Sequence, residues 1–160
     1  MNPARPTAPG PHRQLLCVYP EDRCLAALVS ALLGRYAPSL TVRSAGLAGH
    51  AHLPLHPNAL LVGVSLGLDL WGHRSRVLNE SDCAWADLVL VQRPEDLERV
   101  ARWLPEHASK LRLLDPRAQL PVEEKAACTE AQLRQAVPAA DAVARAWAAQ
   151  WPQQPEHAWA

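Results

Sequence analysis

Gln14-Leu15-Leu16-Cys17-Val18-Tyr19-Pro20-Glu21-Asp22-Arg23-Cys24 joins a short apolar run to a turn-like acidic stretch and a cysteine. The residues over 24–36, CLAALVSALLGRY, are rich in Ala and Leu. Residues 14–19 have the length and composition of a buried strand. Residues 24–36 have those of a mostly buried helix, which Pro38 and Ser39 stop. A strand feeding directly into a buried helix is half of a βαβ unit, and the rest of the chain repeats the alternation. Residues 40–45 (LTVRSA) carry a β-branched pair and read as a second strand ending at Gly46. Residues 49–57, with His50, His52 and His56 among prolines and leucines, read as a loop. Helices are expected over 58–66 and over 79–85, the latter capped by Asn79 or Ser81. LVLV at 88–91 is an unbroken apolar run and a central strand. Pro94 opens an amphipathic helix, EDLERVARWL, and residues 110–114 (KLRLL) form a fourth, shorter strand. After a long loop over 115–128, Thr129 and Gln132 form a capping-box signature. They open a terminal helix running to about Trp151, broken or kinked at Pro138. Strands alternating with helices imply an α/β fold: three layers, with a four-stranded parallel sheet flanked by helices.

Length and charge narrow the function classes. A chain of 160 residues reads as one domain with a substantial core. Residues 1–13 read as a disordered arm, 14–151 as the folded domain and 152–160 as a frayed tail. The first fourteen residues carry four prolines and no apolar segment of a secretory signal. Lys plus Arg and Asp plus Glu are each 16, which gives no overall charge to attract nucleic acid. No apolar run reaches the roughly 18 residues needed to span a bilayer. Four cysteines, Cys17, Cys24, Cys83 and Cys128, do not form a secreted disulfide framework at this length. A cytoplasmic location is therefore expected.

In such folds ligands sit outside the carboxyl ends of the strands. The junction there reads Cys17, five residues, Arg23. This spacing suits a loop wrapped around a tetrahedral oxyanion, with backbone N–H groups and a helix N-terminus binding the oxygens. The Arg23 guanidinium offers a bidentate fork. The same positive field favours a Cys17 thiolate, a nucleophile. Other residues take plainer readings. The histidines at 50, 52 and 56 lack cysteine or carboxylate companions in the sequence, so no metal site is assigned. Cys83 and Cys128 read as packing residues. Most tryptophans read as helix-face packing, with Trp147, Trp151 and Trp159 as the candidates for a partner surface.

With these residues in place, the sequence resembles the low-molecular-weight protein tyrosine phosphatase family. Further matches run in order: Val42-Arg43-Ser44-Ala45-Gly46-Leu47 resembles the family's second-strand segment ending in Ser-Ala-Gly. Gly67-Leu68-Asp69-Leu70-Trp71-Gly72-His73-Arg74-Ser75-Arg76 resembles its G-x-D-x-x-x-H-x-x-R segment. Residues 86–91 and 110–114 resemble its third and fourth strands. The resemblance implies Cys17 as nucleophile, Arg23 as phosphate clamp, Ser44 and His73 as loop supports, and no metal or organic cofactor. It also implies that Cys24, at the place of a serine hydrogen-bonded to the nucleophile, lies about 3–5 Å from the Cys17 sulfur. Such a pair of thiols is within reach of a disulfide.

The phosphate loop Val18, Tyr19, Pro20, Glu21, Asp22, Cys24 departs from the family's Cys-x-Gly-Asn-x-Cys-Arg-Ser. Tyr19 tolerates left-handed backbone poorly. Pro20 lacks an N–H. Glu21 or Asp22, facing inward at about 5–6 Å, would cost about 3 kcal/mol per unit of phosphate charge. Alternatively they face solvent or pair with Arg23. The general acid is open: Asp115-Pro116 falls too early, a gap-free reading places Glu124 there, and a shifted one places Val122 there. The leading expectation is a phosphatase-like protein of weak or lost activity, with a regulatory or binding role toward a protein partner. Two alternatives stay open. One is an active phosphatase acting on a phosphotyrosine protein or another phosphomonoester, with Cys17, Arg23 and Glu124 as catalytic residues. The other is arsenate-reductase-like thiol chemistry, motivated by Cys24. Neither nucleic acid nor membrane is expected as a partner.

Overall fold

The computed structural model describes residues 13–121 and 128–151. The N-terminal arm up to residue 12 and the tail over 152–160 lie outside them. Four strands, β1 (Arg13–Glu21), β2 (Leu40–Ala48), β3 (Leu88–Val91) and β4 (Leu111–Leu113), form one parallel sheet in the order β2-β1-β3-β4. Five α-helices connect or follow them: α1 (Leu25–Tyr36), α2 (Pro57–Ser65), α3 (Glu80–Trp85), α4 (Pro94–Trp103) and α5 (Glu130–Ala148).

The alternation of β1 sets the layers. Leu15, Cys17 and Tyr19 point into a core shared with α1, α2 and α5, while Leu16 and Val18 point into the core of α3 and α4. Both faces are thus covered, as a parallel sheet requires. Three helix starts follow from local chemistry. Asn79 caps α3 and Thr129 caps α5, each in a reciprocal capping box, with Asp82 and Gln132 respectively. Pro94 sits in the first turn of α4, where Glu95 and Asp96 meet the helix dipole and Arg102 closes the last turn.

Several boundaries differ from expectation. The strand expected over 14–19 begins at Arg13, the last residue assigned to the arm, and runs on to Glu21. β2 continues three residues beyond Ala45. Lys110 belongs to a 3-10 helix, Pro105–Lys110, and Leu114 lies past the end of β4. α5 runs through Pro138 without a break. The missing Pro138 N–H forfeits one helix bond. Leu133, Ala136, Ala140, Val143 and Ala144, however, are buried on the face toward α1 and α2 and hold both halves in place. The tryptophans expected at a partner surface are otherwise engaged: Trp151 is buried, and Trp147 donates Nε1–H to the Leu114 carbonyl at 2.8 Å. Trp159 lies outside the described residues. Among those residues no helix is long and apolar enough to cross a membrane.

Candidate functional site

The segment expected to loop around an oxyanion is instead strand as far as Glu21. Cys17 pairs in register with Ser44 of β2 and Leu90 of β3, Tyr19 with Gly46, and Glu21 with Ala48. Val18, Tyr19, Pro20 and Glu21 are therefore sheet residues rather than a cradle. The position of Pro20 explains how a proline enters this strand. β3 pairs with β1 only as far as Val18, so beyond that point β1 has β2 alone as a neighbour. A residue without an N–H is tolerated on such an edge.

Cys17 lies in the middle of the strand and is fully buried. Burial pushes its thiol up to about 12, against which hydrogen bonds with Ser30 and Tyr19 work, while the Asp22 charge adds to the rise. Tyr19 is pushed well above its ordinary value by the same burial and by the neighbouring Cys17. Its hydroxyl lies 3.3 Å from Ser30 Oγ. Cys17, Tyr19 and Ser30 thus form a sealed polar trio beneath the sheet end, with the thiol held neutral.

Asp22 follows the strand and is 2% exposed. Its carboxylate accepts from Ser44 Oγ at 2.7 Å and from the Arg76 backbone N–H at 2.9 Å, and it lies 3.4 Å from His73 Nε2. It pairs with neither solvent nor Arg23, the two alternatives considered. The burial of His73 disfavours its imidazolium, but hydrogen bonding to Asp22 and the Asp22 charge outweigh this and raise its pKa. Ser44 and His73 therefore gather on a carboxylate, at a place where the family resemblance expects them beside a phosphate loop. The sequence reading missed Asp22 as their anchor. The usable signal was an acidic residue at a strand-to-helix junction facing two named hydrogen-bonding residues.

Arg23 does not reach this cluster. Its Nε is buried and has no hydrogen-bond partner among the described residues. Cations from other segments gather beside Ser44 instead: Arg43, His73, Arg74 and Arg76 line one groove with Ser30 and Ser44. Arg76 pairs there with buried Asp82 at 2.9 Å, and Arg43 stacks 3.9 Å over Trp85.

Cys24, the N-cap residue of α1, is disulfide-bonded to Cys128, while Cys17 is a free thiol. This corrects one expectation and extends another. Cys24 does not pair with Cys17, because β1 keeps Cys17 in the sheet while Cys24 turns toward the start of α5. Cys128 packs against the core as expected, but it is also a disulfide partner, which the packing reading did not include. On the acid loop, buried Asp115 accepts from the Gln119 and Leu120 N–H groups at 2.9 and 2.7 Å, so it is committed to shaping its own turn. Glu124, the candidate acid, and Val122 lie outside the described residues.

Comparisons with known proteins agree with this architecture. The family model described as low molecular weight phosphotyrosine protein phosphatase matches residues 16–150. The "Low molecular weight protein-tyrosine-phosphatase Wzb" of Escherichia coli (strain K12) is 32% identical over 99 residues, 62% of this chain and 67% of that protein. "Vibrio vulnificus Wzb in complex with benzylphosphonate" superposes with a TM-score of 0.78 at 24% identity, covering 86% of this chain and 98% of that one. "YwlE arginine phosphatase from Geobacillus stearothermophilus" gives 0.78 at 20% identity, covering 89% and 94%.

Proposed function

The chain belongs to the low molecular weight phosphotyrosine protein phosphatase family, and from that premise we propose that it serves as a binding or regulatory protein built on the phosphatase fold, with weak or lost hydrolysis. One observation carries this reading: β1 continues to Glu21. In that arrangement the backbone after Cys17 is spent on β2, and Pro20 supplies no donor. Asp22 takes up Ser44 and His73, and burial holds the Cys17 thiol neutral. A dianionic phosphate needs converging N–H donors and a thiolate, and this geometry offers neither.

The second reading is an active phosphatase, and the comparisons favour it, because the similar curated proteins are named tyrosine phosphatases. Here Cys17 attacks phosphorus, a cysteinyl-phosphate forms, Arg23 clamps the transferring group and Glu124 protonates the leaving oxygen. The substrate is a phosphotyrosine protein or another phosphomonoester. That reading requires β1 to release residues 18–21. In either reading the protein works in the cytoplasm.

Turnover of p-nitrophenyl phosphate by the wild type and Cys17→Ser, followed over roughly pH 4 to 9, separates the two. Binding without catalysis predicts equal, background rates for both proteins, and no vanadate binding by calorimetry below millimolar concentration. Hydrolysis by the wild type that disappears in Cys17→Ser establishes the catalytic reading.

A further inference from the structure

Three segments distant in sequence meet at the start of α1. Cys24 caps that helix without any side-chain cap hydrogen bond and is 2% exposed. His56 caps α2, and Cys128 lies next to the cap of α5. The three side chains bring Sγ, a ring nitrogen and Sγ within 4.8 Å of one another. Two hydrogen bonds tie the segments together independently of the sulfurs. The His56 N–H donates to the Arg23 carbonyl at 3.2 Å, and Asn58 Nδ2 donates to the Cys128 carbonyl at 2.8 Å. The sequence alone gave His56 no cysteine companions, and the fold supplies two.

The structure shows the oxidised state, with Cα atoms 6.4 Å apart across the disulfide. The anchoring hydrogen bonds do not involve sulfur, so they persist when the S–S bond is cleaved. Two molecules of a low-molecular-weight thiol, together giving up two electrons and two protons as they join in a disulfide, leave two protein thiols facing each other beside an imidazole. Two sulfurs on a tetrahedral ion with bonds of about 2.3 Å stand about 3.8 Å apart, and a ring nitrogen sits slightly nearer. In the oxidised chain the two sulfurs are bonded to each other, so cleavage must let them part to that spacing, while all three ligand atoms start within 4.8 Å of one another.

We propose that the reduced chain binds a thiophilic divalent cation of the zinc class through Cys24, His56 and Cys128. Binding replaces each S–H proton by a metal–sulfur bond and releases two protons to solvent. The fourth position is left to water, the pattern of an open site. His56 carries a built-in cost: its Nδ1 accepts the Asn58 N–H at 3.1 Å. A metal at Nδ1 displaces that bond, and a metal at Nε2 leaves the ring proton on Nδ1. In both cases the Asn58 N–H loses its acceptor, so metal occupancy loosens the cap of α2. Softness favours zinc or cobalt over calcium or magnesium, since no carboxylate takes part.

Cobalt(II) titration of the full chain tests this, after reduction with a phosphine and removal of the reductant without air. One equivalent should bind with thiolate-to-cobalt charge-transfer absorption, and zinc should displace it. The air-oxidised chain should give no band. Loss of an outer-shell partner alone costs about 10–100-fold in metal affinity, so His56→Ala should weaken binding at least tenfold. Cys24→Ser and Cys128→Ser should lose the two-thiolate band, and Cys83→Ala should keep it, with circular dichroism confirming that each variant is folded. Absence of a band in the reduced wild type overturns the assignment, a result that needs no variant to fold. An unchanged affinity in folded His56→Ala, or a full band in folded Cys128→Ser, overturns it as well.

Discussion

A carboxylate at position 22 is held by Ser44, His73 and the Arg76 N–H while 2% exposed, so its partners and its burial depend on each other. Asp22→Asn leaves one oxygen for donors that now share two and turns an NH2 toward Ser44 or the Arg76 N–H. The mismatch should cost about 2–4 kcal/mol, read as a lower urea midpoint. A variant as stable as the wild type would show that the three contacts carry no weight. Cys17 gives a second residue-scale test. A thiol moved from 9.0 to about 12 has about a thousandfold less thiolate near neutral pH. Iodoacetamide at pH 8 should therefore label Cys17 at least that much more slowly in the native protein than in urea. The same shift makes stability depend on pH. The folded chain holds this proton more tightly than the unfolded one, so the contribution is whole below pH 9 and is lost as pH rises toward 12. Tyr19 titrates in the same direction. Cys17→Ala should accordingly flatten part of the alkaline fall in melting temperature, and an unchanged slope would contradict the assignment. His73, raised by Asp22 against the opposing effect of burial, contributes fully below about pH 6.5 and loses its contribution as pH passes its folded value.

β1 and β2 close on each other at Gly46. A Cβ built there meets the Asp22 N at 2.7 Å, the Glu21 Cα at 2.9 Å and the Ala48 O at 3.0 Å, all backbone atoms. None of them is the yielding end of a flexible side chain, so Gly46→Ala must push the strands apart where Asp22 is positioned. About 1–3 kcal/mol of destabilisation is expected in equilibrium unfolding. If Gly46→Ala were neutral, the close approach of β1 to β2 would be wrong. This element also marks how far the sequence could be read. LVLV at 88–91 has one reading, because an unbroken apolar run bounded by polar residues suits a strand covered on both faces. The Thr129–Gln132 box and Pro94 fix helix starts through purely local chemistry. The end of β1 was not legible, because Tyr19-Pro20-Glu21 carries turn residues and local preference favours a loop. Pairing with β2 decides the matter, and it depends on Gly46 permitting the approach and on β3 stopping at Val18. For the site, the Cys-x5-Arg spacing singled out Cys17, and the family resemblance pointed to Ser44 and His73. The link through Asp22 and the meeting of Cys24, His56 and Cys128 arise from contacts between segments remote in sequence, and no spacing encodes those.

At the scale of the whole chain, the Cys24–Cys128 bond joins residues 104 positions apart, from the start of α1 to the start of α5. The α1 and α5 helices pack on the same face of the sheet, and the bond closes a ring containing every described strand except β1. A ring of this size removes much of the conformational freedom of the unfolded chain. The chain-entropy argument gives about 4.7 kcal/mol for a loop of about 100 residues, and measured values for disulfides centre on about 2–4 kcal/mol. Reduction should therefore lower the urea midpoint of the wild type by about 1–2 M, with a slope of about 2 kcal/mol per molar. The measurement belongs in excess chelator, so that a metal bound by the reduced cysteines does not stabilise the folded chain in place of the bond. The double variant Cys24→Ala/Cys128→Ala should unfold at one midpoint with or without reductant, near that of the reduced wild type. Equal midpoints for oxidised and reduced wild type, with the thiols counted to prove the change of state, would mean that the bond constrains nothing that packing of α1 on α5 has not already fixed.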